Sequence, residues 1–185
     1  MEIRPIKVEE LRSCLRQIDS RFHIGEYLHF SKRKTGEEYL FEMRLRKHPN
    51  PFRKHSFNYE NKYLDMLASF VKEDGSFASF DDERCVAIAV TSCERWHKTL
   101  KIWEFAVDKT YRKRGIGKQL MERVFEYAKE SQMRSVFLET QTNDVSAIRF
   151  YEKMGFEIVG FDDAYYTNSD AENLEIAVFM RRKMM

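Results

Sequence analysis

The chain has 185 residues, 43% of them hydrophobic and 34% charged, with a formal net charge of +2. That length buries a real core in one domain, and so small a charge excludes the broad phosphate-binding face of a nucleic-acid or membrane-surface protein. With no bilayer-length apolar run, no signal-peptide pattern in "MEIRPIKVEELRS", and only Cys14, Cys85 and Cys93, reduced thiols in the cytoplasm are expected.

"EIRPI" reads as a short strand, and Leu11, Leu15 and Ile18 then recur on one face of a helix. Tyr39, Phe41, Met43 and Leu45 alternate with polar residues over 39–46, and the preceding "TG" turns that strand back onto "YLHFS" as a hairpin. The basic stretch "RKHPNPFRKHS" carries two prolines and is expected to be a loop. A helix is predicted over 61–72, carrying Leu64, Leu67, Phe70 and Val71. "SFASFDDERCVAIAVTSCERWHKTLKIWEFAVD" reads as three strands joined by "DDE" and "RWHKT". Ile116, Leu120, Val124 and Ala128 recur every four residues, which predicts an amphipathic helix over 115–130. "RSVFLET" is a buried strand, "DVSAIRFYEKMGF" a helix with Asp144 as N-cap and Gly155 as its stop, and "LEIAVFM" a final strand. The order predicts a mixed α/β sheet. The five histidines are scattered, and no metal site is expected.

The most informative stretch is "YRKRGIGKQL" at 111–120, a basic glycine-containing turn between a strand and a helix. Such a turn aims backbone N–H groups in one direction at the positive end of a helix, which suits phosphate oxygens. Gly115 and Gly117 admit close backbone approach, and Arg112, Lys113, Arg114 and Lys118 could add charge. The stretch has neither the P-loop spacing nor the dinucleotide fingerprint. A solvated basic loop leading into a glycine-tolerant helix is the competing reading of this stretch alone.

Together with "LETQTNDVSAIRFYEKMGF" further on, this stretch resembles the GNAT acyl-CoA N-acyltransferases. "VDKTYRKRGIGKQLM" is similar to that family's pyrophosphate loop, Arg-x-x-Gly-x-Gly, at Arg112, Gly115 and Gly117. "AIRFYEKMGF" is similar to its second signature, centred on Tyr151, and the two motifs cover roughly residues 100–160 in the right order. Within the family, "ETQTND" and "GFDDAYYTN" look like streptothricin acetyltransferases.

The resemblance implies a mixed, mostly antiparallel sheet flanked by helices and splayed where acetyl-CoA enters. It implies one GNAT domain over 1–185, with 1–75 on the acceptor side, 76–160 as the acetyl-CoA core, and 161–185 as acceptor loop and last strand. It also implies direct transfer, in which an amine attacks the thioester without an acyl-enzyme. The backbones of Phe105 and Val107 would pair with pantetheine, and the loop at Arg112, Lys113, Arg114, Gly115, Ile116, Gly117 and Lys118 would hold pyrophosphate. Tyr151 is the general acid for the departing thiolate, and Glu104 is the first candidate for the base that deprotonates the ammonium through water, with Glu139 in reserve. One departure concerns the cofactor-binding asparagine seven residues before the tyrosine, a position held here by Asp144. Asn143 then supplies the donor contact to coenzyme A, or that contact is missing, and Ser146 is counted with the cofactor contacts.

On the acceptor side, Glu139, Asp162, Asp163, Tyr165 and Tyr166 form an acidic, aromatic group suited to a small cationic amine such as streptothricin. The plainer reading of each residue is a surface turn entering a strand. The rival activities are a protein lysine or N-terminal acetyltransferase and, from a different class, a non-catalytic acyl-CoA sensor. A nucleic-acid module would rest on the basic stretch near Phe52 and Phe57, against the small net charge. Family members are often dimers, so a homodimer is allowed.

Overall fold

The computed structural model describes residues 1–54 and 60–184, so His55, Ser56 and Phe57 of the basic stretch lie outside the described residues. Nine strands and four helices follow in the order β1 (Glu2–Pro5), α1 (Val8–Gln17), β2 (Phe22–Thr35), β3 (Glu38–Lys54), α2 (Asn61–Val71), β4 (Phe77–Asp81) and β5 (Arg84–Glu94) among the described residues. The chain continues through β6 (Thr99–Val107), α3 (Ile116–Glu130), β7 (Ser135–Gln141), α4 (Val145–Lys153), β8 (Glu157–Asp162) and β9 (Ala177–Lys183). Hydrogen bonding orders seven strands as β1-β4-β5-β6-β7-β9-β8, while β2 and β3 form a two-stranded sheet. The chain divides into two compact units, each discontinuous in sequence.

The first unit comprises Met1–Arg21, His55–Leu138 and Arg181–Met185. Its central strand, β5, is buried from Cys85 to Val90 on both faces, which is why "CVAIAV" reads as a continuous apolar run rather than an alternation. Leu11, Cys14 and Leu15 of α1 and Leu64, Leu67 and Val71 of α2 pack with Ile88, Val90 and Ala106 on one face. On α3, Ile116, Leu120, Met121, Val124, Phe125 and Ala128 are buried at the helical period anticipated from the sequence.

Two details of β6 matter for chemistry. Its antiparallel register with β5 pairs Ile102 with Thr91 but Glu104 with Val90, so Trp103 is the extra residue of a β-bulge. Residues directly opposite share a face, so Glu104 and Ala106 lie with Val90 and Ile88 on the α1–α2 side. On the other edge, the parallel register with β7 runs from Thr99↔Ser135 to Ile102↔Leu138, whereas β6 itself continues to Val107.

The second unit comprises Phe22–Lys54 and Glu139–Met180. The β2–β3 hairpin closes at Gly36, whose φ of +61° is the left-handed backbone a two-residue hairpin loop demands. The expected loop over "RKHPNPFRKHS" is corrected: β3 runs through both prolines to Lys54. An irregularity between Ile24 and Glu26, opposite Phe52 and Lys47, absorbs Pro49 and Pro51 where no regular ladder bond is required of them. The backbone N–H of Leu28 donates to the Thr142 carbonyl at 2.9 Å, Arg149 on α4 pairs with Glu26 at 3.1 Å, and the Phe30 and Phe161 rings lie 4.3 Å apart. β8 is a strand not anticipated from the sequence. Its exposed Ile158 and Val159 interrupt the alternation that marks a half-buried strand.

Candidate active site

In the first unit, the turn after β6 is organised by Asp108, whose side chain is only 1% exposed. Its carboxylate accepts from the backbone N–H of Asp19 at 2.9 Å, from the Thr110 N–H at 2.9 Å and hydroxyl at 2.6 Å, and from Arg84 at 3.2 Å. Burial pushes this carboxyl up, but the Thr110 and Asp19 donors and the Arg84 charge outweigh it and hold the group below the usual carboxylate range. A short 3₁₀ turn, Lys109–Tyr111, follows, and then the backbone enters left-handed conformation twice, at Lys113 (φ +62°) and Gly115 (φ +83°). A Cβ at Gly115 would meet no backbone, so glycine is favoured there by conformation rather than by space.

α3 then starts at Ile116 with no acidic side chain in its first turn. Its first N–H groups have no intrahelical acceptor, and the positive end of the helix is uncompensated by side-chain charge. Lys113, Arg114 and Lys118 are exposed around it. Arg112 is differently employed: its Nε donates to the Val107 carbonyl at 3.0 Å and its Nη1 to the Arg21 carbonyl at 2.9 Å. Arg112 therefore fixes the turn against the end of β6.

Glu104 is 8% exposed, and its Oε1 accepts from the Tyr63 hydroxyl at 2.6 Å. A buried carboxylate on a sheet strand is costly unless it is hydrogen-bonded. Strand alternation puts it on the face opposite Phe105 and Val107, which stand across from Ala89 and Ala87, and the bulge at Trp103 sets it on the face opposite Ile102 as well. The sequence marked Glu104, but neither the bulge nor Tyr63, because no residue type signals a bulge and Tyr63 is distant in sequence.

In the second unit, Asp144 caps α4: its Oδ1 accepts from the Ala147 N–H at 3.0 Å and from the Ser146 hydroxyl at 2.8 Å. Asn143, one residue earlier, is 2% exposed, and neither its side-chain oxygen nor its nitrogen has a hydrogen-bond partner among the described residues. Natural proteins rarely leave such a group unsatisfied, and an amide can both donate and accept. Tyr151 is 7% exposed on the same helix, its ring edge-on to Phe150 and Phe156 at 5.4 and 5.7 Å.

The unit also brings Glu139, Asp162, Tyr165 and Tyr166 together. Tyr166 donates to Glu139, the Tyr165 and Tyr166 rings meet edge-on at 5.2 Å, and Asp162 accepts from the Ala164 N–H at 2.9 Å. Burial raises the Tyr165 phenol, and the charges of Glu139 and Asp162 raise it further. Asp163 is engaged by Lys32 of the hairpin at 2.5 Å. Lys54 pairs with Glu175. Burial lowers its ammonium while Glu139, Asp144 and Asp170 oppose that shift. The loop between β8 and β9 hangs on Asp170, which accepts from the N–H groups of Tyr166 and Thr167, both at 2.8 Å, and from the Thr167 hydroxyl at 2.7 Å. Among the described residues no cluster of potential metal ligands is present and no helix is long and apolar enough to cross a membrane.

The model of the acetyltransferase (GNAT) family matches residues 37–156, and the chain belongs to that family. Streptothricin acetyltransferase A of Bacillus subtilis is 37% identical over 118 residues, 62% of this chain and 66% of that protein. The streptothricin acetyltransferase of Streptomyces lavendulae is 32% identical over 110 residues, 60% of this chain and 53% of that one. The matches thus span about two thirds or less of these relatives' own length. Among solved structures, a Bacillus anthracis protein assigned as a streptothricin acetyltransferase, in complex with acetyl coenzyme A, superposes with a TM-score of 0.78. Its identity is 26%, covering 99% of both chains. Nourseothricin acetyltransferase has the same fold, with a TM-score of 0.77 at 24% identity and coverage of 98% and 97%.

Proposed function

We propose that this protein transfers the acetyl group of acetyl-CoA directly to a primary amine of a small cationic molecule of the streptothricin class. Given the family, the observation that carries the reading is Asn143, a buried amide with both polar ends unmet among the described residues at the start of the helix that bears Tyr151. Coenzyme A offers amide donors and acceptors that would meet it, so the residues present fit that cosubstrate. Asp144 is committed to capping, which makes Asn143 the better candidate for the contact.

In this reading, the N–H groups at the start of α3, with Lys113, Arg114, Gly115, Gly117 and Lys118, hold pyrophosphate. Arg112 shapes that turn through its two carbonyl contacts. The edge of β6 at Phe105 and Val107 aligns the pantetheine and polarises the thioester carbonyl. Glu104 accepts the ammonium proton through water, and the freed nitrogen attacks the carbonyl carbon. The C–S bond breaks as Tyr151 gives its proton to the thiolate, and the second proton shed by the nitrogen on forming the amide returns through solvent to the Tyr151 phenolate. The acceptor's charge is matched by Glu139 and Asp162, with Tyr165 beside them. A small molecule is favoured over a protein amine because strands of 14 and 17 residues form a long hairpin, tied by Lys32 to Asp163.

A thiol-release assay with acetyl-CoA against streptothricin, aminoglycosides, polyamines and lysine peptides tests this. Release with one small amine, reduced at least tenfold in Tyr151→Phe, is expected. Turnover confined to peptides would replace the small-molecule acceptor with a protein one. Gly117→Asp is expected to weaken acetyl-CoA binding about 100-fold, because a carboxylate would meet the pyrophosphate, and an unchanged titration would remove the loop from the site.

A further inference from the structure

We infer that Tyr63 is a positioning residue for the acetyl-transfer reaction, acting through Glu104; the inference rests on the reading of Glu104 as the base. The terminal torsion of a glutamate is broad and has no sharp staggered minimum, so a carboxylate on a strand is not aimed by its own rotamer. Here the Tyr63 hydroxyl donates to Oε1 at 2.6 Å, within the range of a hydrogen bond to an ionised oxygen. One carboxylate oxygen is thereby fixed, and with it the plane of the group.

The aim is only as good as the register of α2, and that register is set twice. Tyr63, Leu67 and Phe70 recur along one face of the helix, and Leu67 is fully buried in the core beneath it. Two turns beyond Tyr63, Phe70 stacks on Trp103 with centroids 4.9 Å apart and planes 19° from parallel. Trp103 is the bulged residue itself. One helix thus grips the bulge by its extra residue and holds the next side chain by its carboxylate. A tyrosine needed merely to fill space at the edge of this core would not require a hydroxyl in that place.

The test is a double-mutant cycle with streptothricin and acetyl-CoA, in which Tyr63→Phe removes the hydroxyl and keeps the ring. The single variant is expected to lower kcat about tenfold and leave the KM for acetyl-CoA within twofold of wild type. It is expected to remain folded with Tm lowered by several degrees, since a part-buried hydrogen bond to a carboxylate is lost. Added to Glu104→Gln, the same change is expected to alter kcat less than twofold, because the group it positions is gone. An equal loss in both backgrounds, or no loss in the single variant, overturns the inference. An unaltered kcat in Glu104→Gln alone overturns the assignment of Glu104, and the role of Tyr63 falls with it. A crystal structure of Tyr63→Phe supplies a readout that needs no acceptor. The Glu104 carboxylate is expected to populate more than one orientation, and an unmoved, singly ordered carboxylate counts against positioning.

Discussion

Two loops, one in each unit, are built on the same device and finish with opposite charge. After β6, buried Asp108 gathers backbone N–H groups and the Thr110 hydroxyl, and the chain leaves through Lys113, Arg114 and Lys118. After β8, buried Asp170 gathers the N–H groups of Tyr166 and Thr167 and the Thr167 hydroxyl, in a loop facing Glu139 and Asp162. In each, a carboxylate replaces the ladder that the loop lacks, and a threonine supplies the hydroxyl. The lesson is a separation of labour: the aspartate sets the backbone path, and the neighbouring side chains set the charge that the loop presents.

The sharpest way to break the comparison is Asp108→Ala. It removes four hydrogen bonds, including an ion pair to a buried carboxylate, and leaves the part-buried N–H groups of Asp19 and Thr110 without that acceptor, so a loss of about 3 kcal/mol is expected in denaturant melts, together with weakened acetyl-CoA binding. Asp170→Ala loses three bonds without a charged partner, and about 2 kcal/mol is expected, with acetyl-CoA titration within twofold of wild type. A loss of cofactor affinity in that variant would erase the distinction between the loops. Glu139→Gln combined with Asp162→Asn leaves the loop path alone and removes two charges. The expected result is a KM for the cationic acceptor raised about tenfold, roughly 1.4 kcal/mol, with unchanged cofactor affinity.

The smallest effect sharpens the comparison through pH. Because Asp108 titrates below its unfolded value near ~3.9, its stabilisation is fully present above that value. It is lost as pH falls through the lower, folded-state value. Thermal melts between pH 7 and 3 are expected to show a shallower acid loss in Asp108→Asn than in the wild type. Parallel curves would mean the carboxylate is not held in its charged form.

The sequence made the first loop plain and the second obscure, for a physical reason. Glycines at 115 and 117 beside three consecutive cations mark a tight basic turn whose competing reading is a solvated loop, and the motif around Tyr151 read beside it is what makes the turn informative. The buried strand β5 was equally plain, since burial on both faces leaves a continuous apolar run. The acidic group could be proposed only as a set, because Asp-Asp before aromatics is also what an ordinary turn contains. Proline misled at 49 and 51, where an irregular register accommodates what a regular strand would refuse. The pairing of Tyr63 with Glu104 joins helix to strand across the core and has no local signature.

The bulge at Trp103 has a consequence for how this chain can change over time. In a regular strand, the face a side chain occupies is fixed by counting, and substitution alone cannot alter it. With one residue in excess, Ile102 and Glu104 stand on opposite faces although two positions apart, and a single-codon deletion of Trp103 would leave a regular ladder with Glu104 still opposite Val90 but without the ring on which Phe70 stacks. The face of Glu104 is therefore set by its pairing with Val90 rather than by its distance along the strand from Ile102, and one residue can be lost between them without turning the carboxylate over.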